Sequence, residues 1–292
     1  MHPNPDKVRK QNRWLRQLCN VEDVALRMAV PMDLMTIDPE IVVCPSGALR
    51  DVFDYWRVVL SSEPQNPGWS GSGRSMSGLV RDKVSGGFLG IVAISDPPTH
   101  WPQLLKHLEW DKDDGLRLAY QQYIMMMRRC LPLYEFGQMT GGKMLALAAT
   151  SRDVIRMLEL RFSFQYLFFG IRTLHGKGSQ YNRLQANGIA LLDVDATNHG
   201  YYGMALRRKS VAFMQGKASS PGKSTTTPLS EQLQFWKDRW LTSRMKSLGV
   251  GSIITPDPEK YRLSSQLSVK RMTLRDAGLL KEDPNGPEAE ED

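Results

Sequence analysis

The chain has 292 residues, a formal net charge of +7 and an isoelectric point near 9.3, and 41% of its residues are hydrophobic. This length supports one large domain with a substantial core, and no apolar run approaches the ~18 residues that a membrane span needs. The first ten residues lack the apolar stretch of a secretory signal, so we expect a soluble, cytoplasmic protein with no membrane partner.

The basic balance and the cysteines narrow the choice of partners and cofactors. The net charge predicts a polyanionic partner, most commonly nucleic acid, although a mildly basic protein without such a partner has the same composition. The three cysteines lack a C-x-x-C pair, and the five histidines lack metal-ligand spacing. We therefore predict neither a disulfide framework nor a metal site.

Shifts in composition divide the chain into five predicted segments. A basic helical extension precedes an α/β core, and a stretch rich in Gly, Ser and Thr then has the composition of a flexible linker or a mobile lid. An amphipathic helix and an acidic tail follow, and the tail is either a disordered end or a screen against non-specific nucleic-acid contacts. The predicted segments are residues 1–40, 41–215, 216–229, 230–250 and 251–292.

The N-terminal extension and the core contain both predicted helices and predicted strands. A helix, a short strand and a second helix lead through a polar loop to an antiparallel hairpin. A partly helical insertion and three methionines follow, and the methionines fit either the core or the lining of a substrate pocket. A strand, a glycine-rich turn, a long helix, a mid-sheet strand and a closing strand pair complete the core. In chain order these runs are 6–30, Ile41–Cys44, 46–59, the loop 64–73, Met76–Arg81, Gly87–Ile94, 101–115, Met125–Met127, Cys130–Phe136, 142–161, Phe164–Leu174, Ile189–Val194 and Tyr201–Leu206.

The strongest local signal is the turn Phe-Gly-Gln-Met-Thr-Gly-Gly-Lys at Phe136–Lys143. A helix N-terminus exposes unpaired amides and the positive end of a dipole, and phosphate is its natural occupant. Two adjacent glycines would let the backbone approach a pyrophosphate, although a tight turn that binds nothing has the same features. The predicted cofactor-binding residues are Gln138, Thr140, Gly141, Gly142 and Lys143.

The order of the elements resembles the GNAT acyltransferase fold. In that family a Q/R-x-x-G-x-G/A turn after the fourth strand holds the pyrophosphate of acyl-CoA. The segment Gln138–Lys143 matches the Gln and the first Gly, and Lys143 stands at the sixth position. The resemblance implies an α/β (α+β) fold, with a mixed, largely antiparallel central sheet flanked by helices and with N- and C-terminal helical extensions. It also implies acyl-CoA or another phosphorylated donor as cofactor.

A narrower set of residues resembles the DruA-like family, a domain found in the Druantia anti-phage system, beside transposases and in phages. The similar stretches are Gly141–Leu147, the apolar strand at 164–174 and Gly178–Asn182, within a region from Gly86 to Leu206. This resemblance implies a phage or mobile-element protein that acts on or near DNA.

Candidate catalytic residues follow the fifth and the sixth predicted strands of the core. A GNAT-like transfer needs a general base for the attacking nucleophile and an acid for the departing thiolate. Tyr181 fits the acid by its position, although a tyrosine that only packs in the core fits equally well. Asn182 suits the orientation of a substrate base or a cofactor amide. His175 and Asp195 are candidate bases.

Aromatic and basic residues alternate in the first and last helices, around Trp14, Trp236 and Trp240. Base stacking combined with phosphate neutralisation would use this pattern, and core packing of the tryptophans explains it as well. The predicted nucleic-acid-binding residues are Arg13, Arg16, Lys237 and Arg239.

Three functions therefore stay open. The leading hypothesis is a GNAT-like transferase that holds a phosphorylated cofactor at the glycine-rich turn and modifies nucleic acid, with DNA base modification as its specific form. The alternative is a non-enzymatic DNA-binding module that grips the phosphate backbone with the same turn, and Lys143 favours this one. A third is an interaction protein whose basic surface meets an acidic partner such as a host defence protein.

Overall fold

The computed structural model describes residues 5–61, 73–98 and 101–263. The predicted loop at 64–73 lies outside these ranges except for its last residue, and the tail beyond residue 263 lies outside them entirely. The helices are α1 (Pro5–Cys19), α2 (Glu22–Leu26), α3 (Gly47–Leu60), α4 (Pro102–His107), α5 (Asp114–Tyr120), α6 (Tyr134–Gln138), α7 (Gly141–Ala149), α8 (Arg152–Phe162), α9 (Ser210–Met214), α10 (Leu229–Trp236) and α11 (Thr242–Leu248). The strands are β1 (Met32–Asp33), β2 (Pro39–Val43), β3 (Ser75–Asp82), β4 (Phe88–Ser95), β5 (Ile124–Pro132), β6 (Phe168–Thr173), β7 (Ala190–Val194), β8 (Gly200–Ala205) and β9 (Ile253–Ile254).

Seven strands form one central sheet in the order β2-β3-β4-β5-β6-β8-β7. Every neighbouring pair is antiparallel except β5 and β6, which run parallel. The short strands β1 and β9 form a separate antiparallel ribbon. The structure thus confirms a mixed, largely antiparallel central sheet with flanking helices. Within the described ranges, no helix is both long enough and apolar enough to cross a bilayer.

The predicted hairpin is confirmed as β3 and β4, and its turn chemistry explains why it forms. The carboxylate of Asp82 accepts hydrogen bonds from the backbone N–H groups of Val84 at 3.2 Å and Ser85 at 2.8 Å. Gly86 follows with a φ of +74°, a conformation that glycine adopts at little cost. These contacts fix the turn, and with it the antiparallel pairing of Met76 with Ile94.

Two groups of buried side chains cover the two faces of the central strands. On β5, Met125 and Met127 join the larger group, which includes residues of α3 and α7. Met126 joins a smaller group that contains Trp101 and residues of α4 and α9. Successive residues of a strand face opposite sides, so the methionine run contributes to both layers. All three methionines are buried, which confirms the core alternative.

Several predicted boundaries are wrong. The strand predicted at Cys130–Phe136 is β5, which begins six residues earlier because the methionine run pairs between β4 and β6. It ends at Pro132, where the ring removes a ladder donor and α6 soon follows. The long helix predicted at 142–161 is two helices, because the Ser151 hydroxyl accepts a hydrogen bond from the Val154 N–H and starts α8 afresh. The helix predicted at 6–30 is likewise divided into α1 and α2.

The chain is continuously helical from Leu229 to Leu248, because a π-helical segment at Lys237–Leu241 joins α10 to α11; we call this stretch the C-terminal helix. It packs against α7, and the fully buried ring of Trp236 meets the Phe136 ring edge-on at 5.7 Å. The stretch predicted as a linker also makes contacts, since the Arg152 guanidinium donates two hydrogen bonds to the carbonyl of buried Thr226. Composition alone could not show these contacts.

Candidate functional site

A β-bulge at Arg128 marks the point where β5 and β6 separate. Ala93 of β4 pairs with Arg129 and Ile94 pairs with Met127, so Arg128 is an extra residue in β5. The parallel pairing of β5 with β6 ends at Met127, opposite Ile171. Because a bulge bends its strand and redirects the local side chains, the two parallel strands diverge beyond it.

The space between the diverging strands is a cleft with a cavity of about 260 Å³. Its wall contains three arginines and a histidine, namely Arg128, Arg129, Arg172 and His175. The loop that contains Gln180 closes one side. Among the described residues that line the cleft, none is acidic. The cleft therefore presents a concentrated positive charge to whatever enters it.

The arginines of the cleft lie close enough to affect one another. Burial lowers the pKa of the Arg128 guanidinium, and the positive charges of Arg129 and Arg172 lower it further. The Arg128 Nε donates to the Ser95 hydroxyl at 3.0 Å, which orients the side chain. Arg172 is exposed, and its Nη2 lies 3.5 Å from His199 Nδ1. Mutually repelling cations favour the binding of an anion that neutralises them.

The glycines of the predicted phosphate turn, by contrast, pack against protein groups. A Cβ on Gly141 would overlap the ring and the carbonyl oxygen of Phe136. A Cβ on Gly142 would overlap the side-chain amide of Gln180, whose Nε2 donates to the Cys130 carbonyl at 2.9 Å. The Gln180 amide thus lies against the N-terminus of α7, where a bound phosphate was expected. At these positions the missing Cβ allows close packing.

Lys143 directs its donors into the protein as well. Its ammonium donates to the backbone carbonyls of Gln180 at 3.0 Å and Asn182 at 2.5 Å. The same ammonium lies 4.6 Å from the centre of the Trp240 ring. Burial, and to a smaller extent the charge of Arg183, lowers the pKa of Lys143 to about 8. The residue therefore ties the 180–182 loop and the C-terminal helix to α7.

The C-terminal helix covers the rest of the turn. Thr140 has a φ of +64°, which is a strained conformation for a β-branched residue. The Trp236 indole N–H donates to both the carbonyl and the hydroxyl oxygen of Thr140, at 3.1 and 3.0 Å. The Arg244 guanidinium donates to the Gln138 carbonyl at 2.8 Å. The five predicted cofactor-binding residues therefore lie together, beneath contacts made by the chain itself.

Two of the four candidate catalytic residues line the cleft, namely Tyr181 and His175. Tyr181 is 6% exposed, and its hydroxyl donates to the Met127 sulfur at 3.5 Å. Burial raises its pKa well above the usual value, so the hydroxyl keeps its proton at neutral pH. Cys130 also lines the cleft, but burial raises its pKa to about 12, which makes it a poor nucleophile.

Asn182 and Asp195 do not line the cleft. The Asp195 carboxylate accepts hydrogen bonds from the Thr197 hydroxyl at 2.7 Å, the backbone N–H of His199 at 2.9 Å and the Tyr201 hydroxyl at 2.8 Å. These bonds, led by that from Thr197, lower its pKa and make it a weak base. Its evident role is to stabilise the turn between β7 and β8.

The predicted nucleic-acid-binding residues lie on two separate helical segments. Arg13 and Arg16 are exposed on α1, and Arg239 is exposed beside Trp240. The Lys237 ammonium donates to the backbone carbonyl of Met35 at 2.6 Å. None of these four side chains lines the cleft between β5 and β6.

Sequence reasoning missed the residues that give the cleft its charge and shape. Arg128 and Arg129 are adjacent, and regular alternation would place them on opposite faces of the sheet. The bulge that brings both to one cleft depends on pairing with β4, which no local pattern records. Gln180 lies 38 positions after Gly142, so their contact was equally invisible. The consecutive arginines after an apolar run were the one available signal.

Comparisons with protein-family models, with curated proteins and with solved structures found no match in any of the three. Among the described residues, no group of three or more His, Cys, Asp or Glu side chains is placed to hold a metal ion. The chemistry of the site therefore has to be inferred from its geometry and charge.

Proposed function

We propose that this chain is a GNAT-like protein that binds nucleic acid by holding backbone phosphates in the cleft between β5 and β6. The observation that carries the proposal is the lining of this cleft by Arg128, Arg129 and Arg172, with no carboxylate among its described lining residues. Guanidinium groups bind phosphate oxygens through charge-assisted and often bidentate hydrogen bonds. The net charge of +7 gives the attraction over distance that nucleic-acid binding uses.

The element order supports a GNAT-like arrangement. Strand, helix, hairpin, helical insertion, strand, glycine turn, helices, strand, loop and strand pair follow one another in the described chain. The single parallel pair, β5 and β6, stands near the middle of the central sheet. The DruA-like resemblance extends the proposal to a phage or mobile-element protein that acts on DNA.

The size of the cleft favours a phosphate segment over an enclosed cofactor. Sites that bury a drug-sized ligand have volumes of about 300–1,000 Å³. The cavity here, at about 260 Å³, is smaller. A nucleic-acid backbone needs only to place one or two phosphates in such a cleft while the rest of the strand stays outside.

The contacts of the glycine-rich turn also favour a nucleic-acid phosphate in the cleft over acyl-CoA at the turn. An acyl-CoA pyrophosphate would need free amides or side-chain donors at the start of α7. Here the Lys143 donors are directed to two backbone carbonyls, and the Gln180 amide packs on Gly142. Accessible positive charge is instead concentrated in the cleft.

A second candidate is a transferase that modifies nucleic acid with acyl-CoA or another phosphorylated donor. The observation that favours it is the place of Tyr181, which lines the opening between the parallel strands and retains its proton. A general acid must hold its proton before the transfer, and the raised pKa of Tyr181 makes its hydroxyl a weak proton donor. In this case the 180–182 loop would have to move away from α7 to admit the donor.

Thermal unfolding with two ligands tests the proposal. An oligonucleotide should raise Tm, and the rise should shrink as salt increases, whereas acetyl-CoA and CoA should leave Tm unchanged. Arg172→Gln should lose much of the oligonucleotide effect. Arg27→Gln is the matched control, because Arg27 is exposed and does not line the cleft. A rise with acetyl-CoA and none with the oligonucleotide would refute the binding proposal and favour the transferase.

Mass spectrometry of nucleosides tests the second candidate separately. Cells that express active protein should contain a modified nucleoside that is absent from cells expressing Tyr181→Phe. An unchanged nucleoside profile, with folded protein present, would count against the transferase and leave the binding proposal intact.

A further inference from the structure

A second cationic cavity, of about 210 Å³, lies at the opposite end of the central sheet, where the chain enters β6 and leaves β8. Arg152 and Arg156 of α8 line it together with Arg207, Glu159 and the fully buried Tyr166. The cleft between β5 and β6 shares none of these residues. The cavity is therefore a separate feature of the molecule.

Two buried donors in the wall of this cavity have no partner. The Tyr166 hydroxyl and the Arg207 Nε are both buried, and neither forms a hydrogen bond with a described residue. The neighbouring Arg207 Nη2 does have an acceptor, the Glu159 carboxylate at 3.2 Å, which also accepts from the Tyr166 N–H at 3.1 Å. Buried polar groups in folded proteins are nearly always paired. An acceptor from a ligand would satisfy these two atoms once the side chains that cover them shift.

The charges around the cavity define the chemistry of that ligand. Three guanidinium groups face one carboxylate, that of Glu159, so the wall has an excess of two positive charges. Arg152 donates to the Thr226 carbonyl, whereas Arg156 forms no hydrogen bond or ion pair with a described residue. A compact anion with several acceptor oxygens matches such a set of donors.

We propose that this cavity is a phosphate-binding site that takes a single phosphate group, supplied either as free phosphate or as the terminal phosphate of a nucleic acid. The phosphate oxygens accept hydrogen bonds from the Tyr166 hydroxyl, the Arg207 Nε and the Arg156 guanidinium. The site goes beyond the proposed function, because backbone binding in the cleft between β5 and β6 does not require it.

The test uses inorganic phosphate as the probe, with Tm measured in phosphate and in sodium chloride of equal ionic strength. Phosphate should raise the Tm of the wild-type protein. Arg156→Gln should weaken the apparent phosphate affinity about tenfold through loss of a charge-assisted hydrogen bond. Arg208→Gln is the matched control, because Arg208 is exposed and does not line the cavity, and it should keep the wild-type response.

Tyr166→Phe is a second variant, which should weaken phosphate binding without lowering the stability of the free protein. Removal of a buried hydroxyl without a partner should leave the free protein as stable as the wild type or more stable, while it weakens the phosphate response. A wild-type protein that does not respond to phosphate would overturn the proposal. So would responses of equal size in wild type, Arg156→Gln and Tyr166→Phe.

Failure of this proposal can be told apart from failure of nucleic-acid binding. If Arg172→Gln abolishes the phosphate response and Arg156→Gln keeps it, phosphate binds in the cleft, and the second site is refuted while the proposed function stands. If the phosphate response follows Arg156 but oligonucleotides do not bind, the proposed function is refuted and the second site stands.

Two oligonucleotides distinguish the sources of the phosphate. A site for a nucleic-acid end gives the wild-type protein a preference for a 5′-phosphorylated strand over the same strand with a 5′-hydroxyl, and Arg156→Gln removes this preference. A site for free phosphate gives equal affinities for the two strands in both proteins.

Discussion

The glycine-rich turn at Phe136–Lys143 and the arginine cleft both border the loop that contains Gln180, yet they differ in what they offer a ligand. In the turn, the donors of Lys143 meet backbone carbonyls, and the space beside Gly142 holds the Gln180 amide. In the cleft, Arg128 and Arg172 face no carboxylate among the described lining residues. The difference teaches that a pair of glycines can serve packing as well as ligand binding, whereas accessible charge points directly to an anion.

The largest expected effect comes from removing the Trp236 side chain, which packs over the glycine-rich turn. Trp236→Ala should lower the free energy of unfolding by about 3–5 kcal/mol, because it empties a fully buried site. It also removes both hydrogen bonds to the strained Thr140. Urea unfolding measures the loss. Trp236→Phe, which keeps much of the ring, should lose less, and equal losses in the two variants would contradict a packing role.

A smaller effect is expected from the first glycine of α7. Gly141→Ala should cost about 1–3 kcal/mol, because the new Cβ overlaps the Phe136 ring and carbonyl, although alanine is the better helix former. Gly251→Ala is the control, since no atom lies within 4 Å of its added Cβ, and it should stay within about 0.5 kcal/mol of the wild type. Native stability of Gly141→Ala, measured by chemical denaturation, would mean that the turn is looser than described.

The pH dependence of the free energy of unfolding tests whether Lys143 is buried as the structure shows. The folded protein releases the Lys143 proton near pH 8, whereas the unfolded chain keeps it until about 10.5. Between these values the unfolded state binds more protons, so rising pH favours the folded state. Relative to Lys143→Met, the wild type should therefore become more stable from pH 8 to pH 10.5. A difference that stays constant over this range in urea titrations would show that burial does not perturb Lys143.

The smallest expected effect concerns the first helix. Replacing both Arg13 and Arg16 by glutamine should reduce oligonucleotide affinity less than Arg172→Gln alone does, because these two residues are exposed on α1 and lie outside the cleft. Fluorescence anisotropy measures the three affinities. A larger loss in the α1 variant would move the interface from the cleft to the N-terminal helix.

Local patterns predicted those parts of the fold that local chemistry determines. The hairpin of β3 and β4 follows from its turn residues, and the mid-sheet strand β6 follows from its continuous apolar run. The position of β5 was missed because the methionine run has no β-branched residues after Ile124, and only its neighbours in the sheet make it a strand.

The candidate site was predicted only in part, for a related reason. Tyr181 and His175 follow the fifth strand of the central sheet, as predicted, and both line the cleft, while their catalytic roles stay predictions. The charge of the cleft depends on the register between β4 and β5, and the closure of the turn depends on Gln180 and Trp236, which lie far from it in sequence. Contacts between distant segments leave no periodic signal.

The salt dependence of oligonucleotide binding tests the central claim most directly. Affinity is measured over a range of salt concentrations for the wild type, Arg172→Gln and Lys143→Met, with circular dichroism to confirm that each protein is folded. If the cleft holds backbone phosphate, Arg172→Gln lowers the slope of log affinity against log salt by about one, and Lys143→Met leaves it unchanged. A slope that falls in Lys143→Met and stays constant in Arg172→Gln would place the phosphate at the glycine turn and contradict this account.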